Sequence, residues 1–331
     1  MHAGEELDRL GITKAIVLST PQQANLAAEF ARDIGERAAI VYPGAAMHTP
    51  VEVTESALDA VRSVGANGIL SVGGGSTTGL GKAIALRLDL PQLVVPTTFA
   101  GSEMTPILGQ TERGLKTTIR SAKVLPKTVI YDPDLVMTMP PEIAGPSGMN
   151  AIAHAVEALY PPDVSPVSLL IAEEAIRALG TSLPVVVTTK NDKSAWADAL
   201  YGAWLAGICL GTVGMALHHK ICHTLGGTFN LDHAGIHCLM LPYSAGYNRD
   251  AAPDAMRRAA RALGAEDAPT ALYDLMRQLG THTTLRDFGL TLADLDRAAD
   301  LAVANPYWNP RPVERAAVRE MLQNAYTGKR P

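Results

Sequence analysis

NGILSVGGGSTTGLGKAIALRL, residues 67–88, joins a short apolar run to three glycines and then to apolar residues at helical spacing. The run reads as a buried strand and the tail as a helix. Glycine removes the Cβ atoms from the turn, which leaves backbone N–H groups and the helix N-terminus open to an anion. The stretch is neither a GxGxxG fingerprint nor a Walker A loop. A tight strand-to-helix turn would use the same residues, so taken alone it supports both readings.

Outward from this stretch the alternation continues. KAIVLST (14–20) and RAAIVYPG (37–44) read as strands, and PQQANLAAEFARDIG and VEVTESALDAVRSVGA as helices. Thr20 and Pro21 look like a helix N-cap and first position. LPQLVVPTT and KTVIYDP complete the strands, and ILGQTERGLKTTIRS looks like a hairpin turning at Arg113-Gly114. Alternating strands and helices imply a parallel sheet covered on both faces. A second loop, VVPTTFAGSEMTP (94–106), leaves the same kind of strand end, where ligands sit in open α/β sheets. That pairing favours phosphate binding over a bare turn. From Pro140 onward the pattern is helix after helix, and the proline-rich residues 132–141 mark a boundary. The expected organisation is an α/β dinucleotide-binding domain over 1–136 and an all-helical domain over 137–331.

Composition narrows the function. With 331 residues, 47% hydrophobic and 18% charged, the chain has the make-up of a two-domain globular protein. A net charge of −5 argues against a nucleic-acid partner. No apolar run is long enough for a membrane span, so no membrane partner is expected. The start, MHAGEELDRLG, does not read as a secretory signal. Cys209, Cys222 and Cys238 form no CxxC pair and are odd in number, which points to buried thiols in a reduced, cytoplasmic protein.

Five of the nine histidines fall within HHKICHTLGGTFNLDHAGIH, residues 218–237. His219 and His223 are i and i+4, as are Asn150 and His154 in GMNAIAHAVEALY (148–160), so each pair shares a helix face. His218 points to another face and reads as structural or exposed. His237 reads equally as a substrate contact or as core, and His2, His48 and His282 as surface residues. Glu157 shares a face with His154 and reads as a surface or hinge salt bridge.

The ordered set GGGS, PTTFAGSE, GMxAxxHAxEA and HxxxHxLGG with a further His ten residues on resembles the iron-containing alcohol dehydrogenase superfamily, whose fold is related to that of dehydroquinate synthase. Within it, GGGSTTGLGKAIAL, PTTFAGSEMTPI, GMNAIAHAVEALY and ANPYWNPRP (304–312) look most like the maleylacetate reductase family. The resemblance implies a dinucleotide-binding domain followed by a helical one, with the active site in the cleft between them. It implies NADH or NADPH as cofactor, a small dicarboxylate substrate, and a homodimer. The implied reaction reduces the carbon–carbon double bond of maleylacetate to give 3-oxoadipate, late in aromatic-compound degradation. The family also implies a pair of edge strands ahead of EELDRLG, almost where this chain begins. Competing readings are a metal-dependent alcohol or glycerol-type dehydrogenase, a dehydroquinate synthase-like lyase, and a nucleotide-binding protein without catalysis.

Carried over residue by residue, the family's metal ligands fall on Asn150, His154, His219 and His233. Asparagine offers a neutral carbonyl where the family has its only carboxylate, so no metal is expected and these positions read as vestigial. His223 is the leading catalytic candidate, then His233, with His219 and His154 beside them. Ser19, Thr20, Gly73, Gly74, Gly75, Ser76, Thr97, Thr98 and Ser102 are the cofactor-binding candidates. Asn150, Lys116 and His237 are the substrate-binding ones, and Arg120, Lys123 and Arg311 are weaker sources of positive charge. Residues 19–23 carry no charge of either sign, which predicts use of both NADH and NADPH.

Overall fold

The computed structural model describes residues 2–331 apart from 114 and 306; the Gly114 half of the expected hairpin turn and the Lys116 side chain lie outside the described residues. The chain forms two compact units, Met1–Thr138 and Met139–Pro331.

The first unit runs α1 (Ala3–Arg9), β1 (Ala15–Leu18), α2 (Ala24–Ile34), β2 (Ala38–Tyr42), α3 (Val51–Val64), β3 (Gly68–Gly73), α4 (Gly75–Leu88) and β4 (Gln92–Pro96). The antiparallel hairpin β5 (Ile107–Glu112) and β6 (Leu115–Arg120) follows, then β7 (Thr128–Val129) and α5 (Pro133–Val136). Five strands form a parallel sheet in the order β2-β1-β3-β4-β7. Side chains alternate across it. Val17, Leu70, Val72, Leu93 and Val95 pack on one face with Phe30 and Ile34 of α2. Ile16, Leu18 and Ile69 pack on the other with Leu58 of α3 and Leu80 and Ile84 of α4. Burial on both faces is why β1, β3 and β4 are mainly apolar, with Ser71 and Gln92 the polar exceptions.

The strand order reverses at β1: the chain goes out to β2, then crosses back to β3 on the other side. Ligands of open α/β sheets bind beyond the carboxyl ends of the strands at such a switch. Ser19 and Gly74 stand there, just past β1 and β3. Thr20 and Pro21 stand at the N-cap and first position of a short 3₁₀ turn that leads into α2; Thr20 makes no side-chain cap, and the Gln23 N–H donates to its carbonyl.

The second unit is helical throughout its regular elements among the described residues: α6 (Pro141–Glu157), α7 (Pro166–Thr188), α8 (Lys193–Thr212), α9 (Leu217–Phe229), α10 (His233–Asn248), α11 (Pro253–Ala262), α12 (Ala268–Gln278), α13 (Leu292–Val303) and α14 (Arg315–Thr327). Gly148 lets α6 meet α7 closely; a Cβ there would lie 2.3 Å from Leu183 Cδ2. α9 stops at Asn230, whose φ of 53° is left-handed, and Asp232 restarts the chain by accepting from the Gly235 N–H at 2.6 Å. This short link folds the two histidine-bearing helices against each other. All three cysteines are buried and free. Among the described residues no single helix is long and apolar enough to cross a membrane.

Candidate active site

The glycine cradle belongs to the first unit. Gly73 has a φ of 154°, and a Cβ there would lie 2.4 Å from Thr77 Oγ1 and 2.8 Å from Gln23 Oε1. A Cβ on Gly74 would lie 2.9 Å from Thr98 Cγ2. Larger residues would therefore fill this space. Gly74 caps α4 without a side chain, so the first N–H groups of the helix have no capping oxygen. The Ser19 and Thr77 hydroxyl oxygens are buried without a hydrogen-bond partner, and Gln23 Nε2 donates to Thr97 Oγ1 at 2.8 Å. Open N–H groups, unpartnered hydroxyls and a Cβ-free surface fit a dinucleotide. Ser19, Thr20, Gly73, Gly74, Gly75, Ser76, Thr97 and Thr98 all border this strand-end region.

Ser102 contributes through its backbone. Its carbonyl accepts from Lys82 Nζ at 2.6 Å, as do Thr105 O at 2.7 Å, Thr105 Oγ1 at 2.9 Å and Ile107 O at 2.8 Å. Lys82 is fully buried on α4. Burial pushes its amine down to about 7, against the pull of Glu103. Yet a neutral amine has two protons for these four oxygens and an ammonium three, so the shell favours the ammonium. Glu103 is buried too and accepts from the Tyr131 hydroxyl at 3.0 Å. Lys82 thus fastens the loop after β4, a role its place in a helical pattern gave no reason to assign.

The histidines gather in the second unit. Ring centroids lie 5.1 Å apart for His154 and His219, 5.0 Å for His219 and His237, 4.4 Å for His233 and His237, and 6.0 Å for His223 and His233. His154 and His237 are buried, His233 is half-buried and His223 is exposed. Burial first, and crowding by neighbouring imidazoles second, holds His154 and His237 well below the ordinary histidine range. His218 is not exposed: burial takes it down to about 3 despite Glu157, and its ring bonds His237 and Ser244.

Glu157 was misjudged from sequence. It has no exposed surface. His219 Nδ1 donates to its Oε2 at 2.5 Å, and the backbone N–H groups of Ala216, His218 and His219 donate at 3.2, 2.8 and 3.3 Å. Burial alone would raise this carboxyl, but the His219 ring and these donors at the start of α9 outweigh it and hold it at about 2. Asn309, from the ANPYWNPRP stretch, accepts from the Leu217 N–H and exchanges hydrogen bonds with Asn248. Arg311, read as a weak substrate contact, lies over the Tyr247 ring, 4.3 Å from its centroid. Lys123 is paired with Asp89 at 3.2 Å at the surface, and Arg120 is exposed.

Residues 1–133 match the family described as iron-containing alcohol dehydrogenase, and residues 145–326 match the Fe-containing alcohol dehydrogenase family, C-terminal. The chain belongs to the iron-containing alcohol dehydrogenase family. It is an oxidoreductase by that membership. Among members, it is 53% identical over 327 residues to a maleylacetate reductase of Rhizobium sp. (strain MTP-10005), covering 99% of this chain and 93% of the relative. The crystal structure of maleylacetate reductase from Agrobacterium tumefaciens superposes with a TM-score of 0.97 at 52% identity, covering 99% and 93% of the two chains. That of an iron-containing alcohol dehydrogenase from Corynebacterium glutamicum gives 0.94 at 40% identity, covering 98% and 91%.

Membership overturns the expectation that no metal is held, since this family implies a bound iron or other metal. The residues fit one. Asn150 Oδ1, His154 Nδ1 and His219 Nε2 are buried and lack a hydrogen-bond partner among the described residues. His218, Cys222 and His237 bring further ligand atoms within 4.8 Å of one another. Asn150 lacks the carboxylate charge, but Glu157 is buried beside the site and carries one. That carboxylate supplies negative charge from behind His219, as outer partners of metal-binding histidines do.

Proposed function

We infer that the chain reduces maleylacetate to 3-oxoadipate with NADH or NADPH. The observation that carries this reading is 53% identity, over 99% of the chain, to a maleylacetate reductase. The glycine cradle, which fits a dinucleotide, and the histidine nest, which fits a metal, each support it.

Maleylacetate holds a double bond conjugated to a ketone. NADH or NADPH, when bound, would supply a hydride for the double-bond carbon farther from the ketone. The other alkene carbon then carries the nucleophilic end of an enolate and takes one proton. Asn150, His154, His219 and His233 would hold the family's metal, which supplies Lewis acidity when bound. This chain's own residues bind, orient and protonate. Gly73–Gly75 and the start of α4 receive phosphate, and Ser19 and Thr20 stand ready for ribose hydroxyls. His223 is the proposed proton donor at the enolate carbon, with His233 second. Lys116 is the proposed partner of a substrate carboxylate. We also place the enzyme in the cytoplasm as a homodimer acting on a small dicarboxylate.

Loss of absorbance at 340 nm with maleylacetate and either nucleotide tests the reading. One NAD(P)H consumed per 3-oxoadipate formed supports it. No oxidation with maleylacetate, alongside turnover of simple alcohols, would return the chain to a general alcohol dehydrogenase.

A further inference from the structure

Ser244 on α10 donates its only hydroxyl proton to the Leu241 carbonyl at 3.0 Å. A carbonyl cannot return a proton. Were the hydroxyl turned elsewhere, two oxygens would face each other with nothing between them. The Ser244 oxygen is therefore the acceptor toward His218 Nδ1, 2.8 Å away, and His218 carries its proton there. In a neutral ring Nε2 is then a lone pair. It lies 3.0 Å from His237 Nδ1, so His237 donates from that atom. One backbone carbonyl thus sets the direction of the whole chain. Its end is His237 Nε2, a lone pair that is buried and unpartnered.

The chain is not a proton exit, because it terminates on a carbonyl oxygen. What it does is hold a lone pair in place. Cys222 does not occupy that lone pair, since its thiol donates to the Ile236 carbonyl at 3.8 Å. Glu157 does the same for the neighbouring ring: it takes the His219 Nδ1 proton, which leaves His219 Nε2 as a second buried, unpartnered lone pair. The two rings are 5.0 Å apart between centroids. Two buried acceptors on rings 5.0 Å apart, each fixed by its own dedicated partner, ask for a cation.

We propose that His237 Nε2 is a metal ligand, sharing a divalent cation with His219 and compensating for the neutral carboxamide of Asn150. The proposal rests on the metal that the family implies. It adds to the ligand positions a residue whose lone pair was fixed by Ser244 and His218.

Metal-free enzyme titrated with Co²⁺, followed by calorimetry and by visible absorption, is the test. His237→Asn keeps an N–H for His218 Nε2 and removes the lone pair. It is expected to weaken Co²⁺ binding by about tenfold or more, the range for disturbed metal sites. Ser244→Ala frees both tautomers of His218 and should weaken binding by a smaller factor, with Ser244→Thr restoring it. Asn150→Ala should matter less than His237→Asn. Wild-type affinity in His237→Asn, or no Co²⁺ bound by the wild type, overturns the proposal. If His237→Asn fails to fold by circular dichroism, Ser244→Ala decides, and an unchanged Co²⁺ affinity in that variant overturns it. Maleylacetate reduction by untreated enzyme, assayed in parallel, judges the reductase reading separately.

Discussion

Glu157 Oε2 and His219 Nδ1 stand 2.5 Å apart, with both side chains buried. The carboxylate comes from the last residue of α6 and the ring from the first turn of α9, so one contact sets both the tautomer of His219 and the seat of its helix. Glu157→Gln keeps the shape but turns one acceptor into a donor facing N–H groups. The expected result is a fall of about 10–100-fold in kcat with maleylacetate, the usual cost of disturbing an outer partner. A variant within twofold of wild type would reduce the contact to packing.

The same carboxyl ties stability to pH. Its folded value, about 2, lies below the ordinary 4.5. Between these values the unfolded chain binds more protons, so stability is present above 4.5 and lost as pH falls toward 2. The difference corresponds to about 3 kcal/mol. Urea unfolding at pH 5 and pH 3, compared between wild type and Glu157→Gln, isolates this part of the acid sensitivity. The gap between the two proteins should shrink at the lower pH, and a constant gap would contradict the linkage.

His223 is exposed, with its ring 6.0 Å from those of both His219 and His233. An exposed ring can exchange protons with water between turnovers, which suits a proton donor. His223→Ala should lower kcat by about a hundredfold. Binding of NADH, measured by fluorescence, should hardly change. Near-normal kcat would move the role to His233.

Much of this was legible because it is local. A strand that ends in glycines, a helix that begins without a cap, and histidines four residues apart are decided within a dozen positions. The α9–α10 hairpin is also written locally, in Asn230 and Asp232. What stayed hidden depends on partners distant along the chain. Glu157 receives N–H groups from residues 59 to 62 positions later, and His218 meets His237 across 19. Lys82 looks like any charged residue of a helix until the loop 20 to 25 residues on closes over it. The metal was misjudged for the same reason, since counting charge along α6 could not reveal that Glu157 is buried behind His219.

Lys82→Met tests the loop fastening. Methionine fills the volume but leaves the Ser102, Thr105 and Ile107 carbonyls without this donor. Each unsatisfied buried group costs about 1–3 kcal/mol, so several kcal/mol of stability should be lost in urea unfolding. The loop after β4 should also become more protease-sensitive. A loss below about 1 kcal/mol would mean that water readily replaces the ammonium.

Cofactor choice follows from what is absent at the end of β1. In dinucleotide folds an acidic residue near a strand end commonly accepts from the adenosine ribose hydroxyls and repels the extra phosphate of NADPH. Here residues 19–23 carry neither acid nor base. Ser19 Oγ is buried and unpartnered, while Thr20 makes no side-chain cap. Gln23 is neutral and engaged with Thr97, so it offers the phosphate no counter-charge. Neutral hydroxyls can serve a ribose without excluding a phosphate. The expected kcat/KM values for NADH and NADPH lie within about tenfold of each other, or roughly 1.4 kcal/mol. Thr20→Asp should shift the ratio toward NADH by repelling the 2′-phosphate, and the shift should shrink with added salt. A wild-type preference of a thousandfold in either direction would place control of the choice outside residues 19–23.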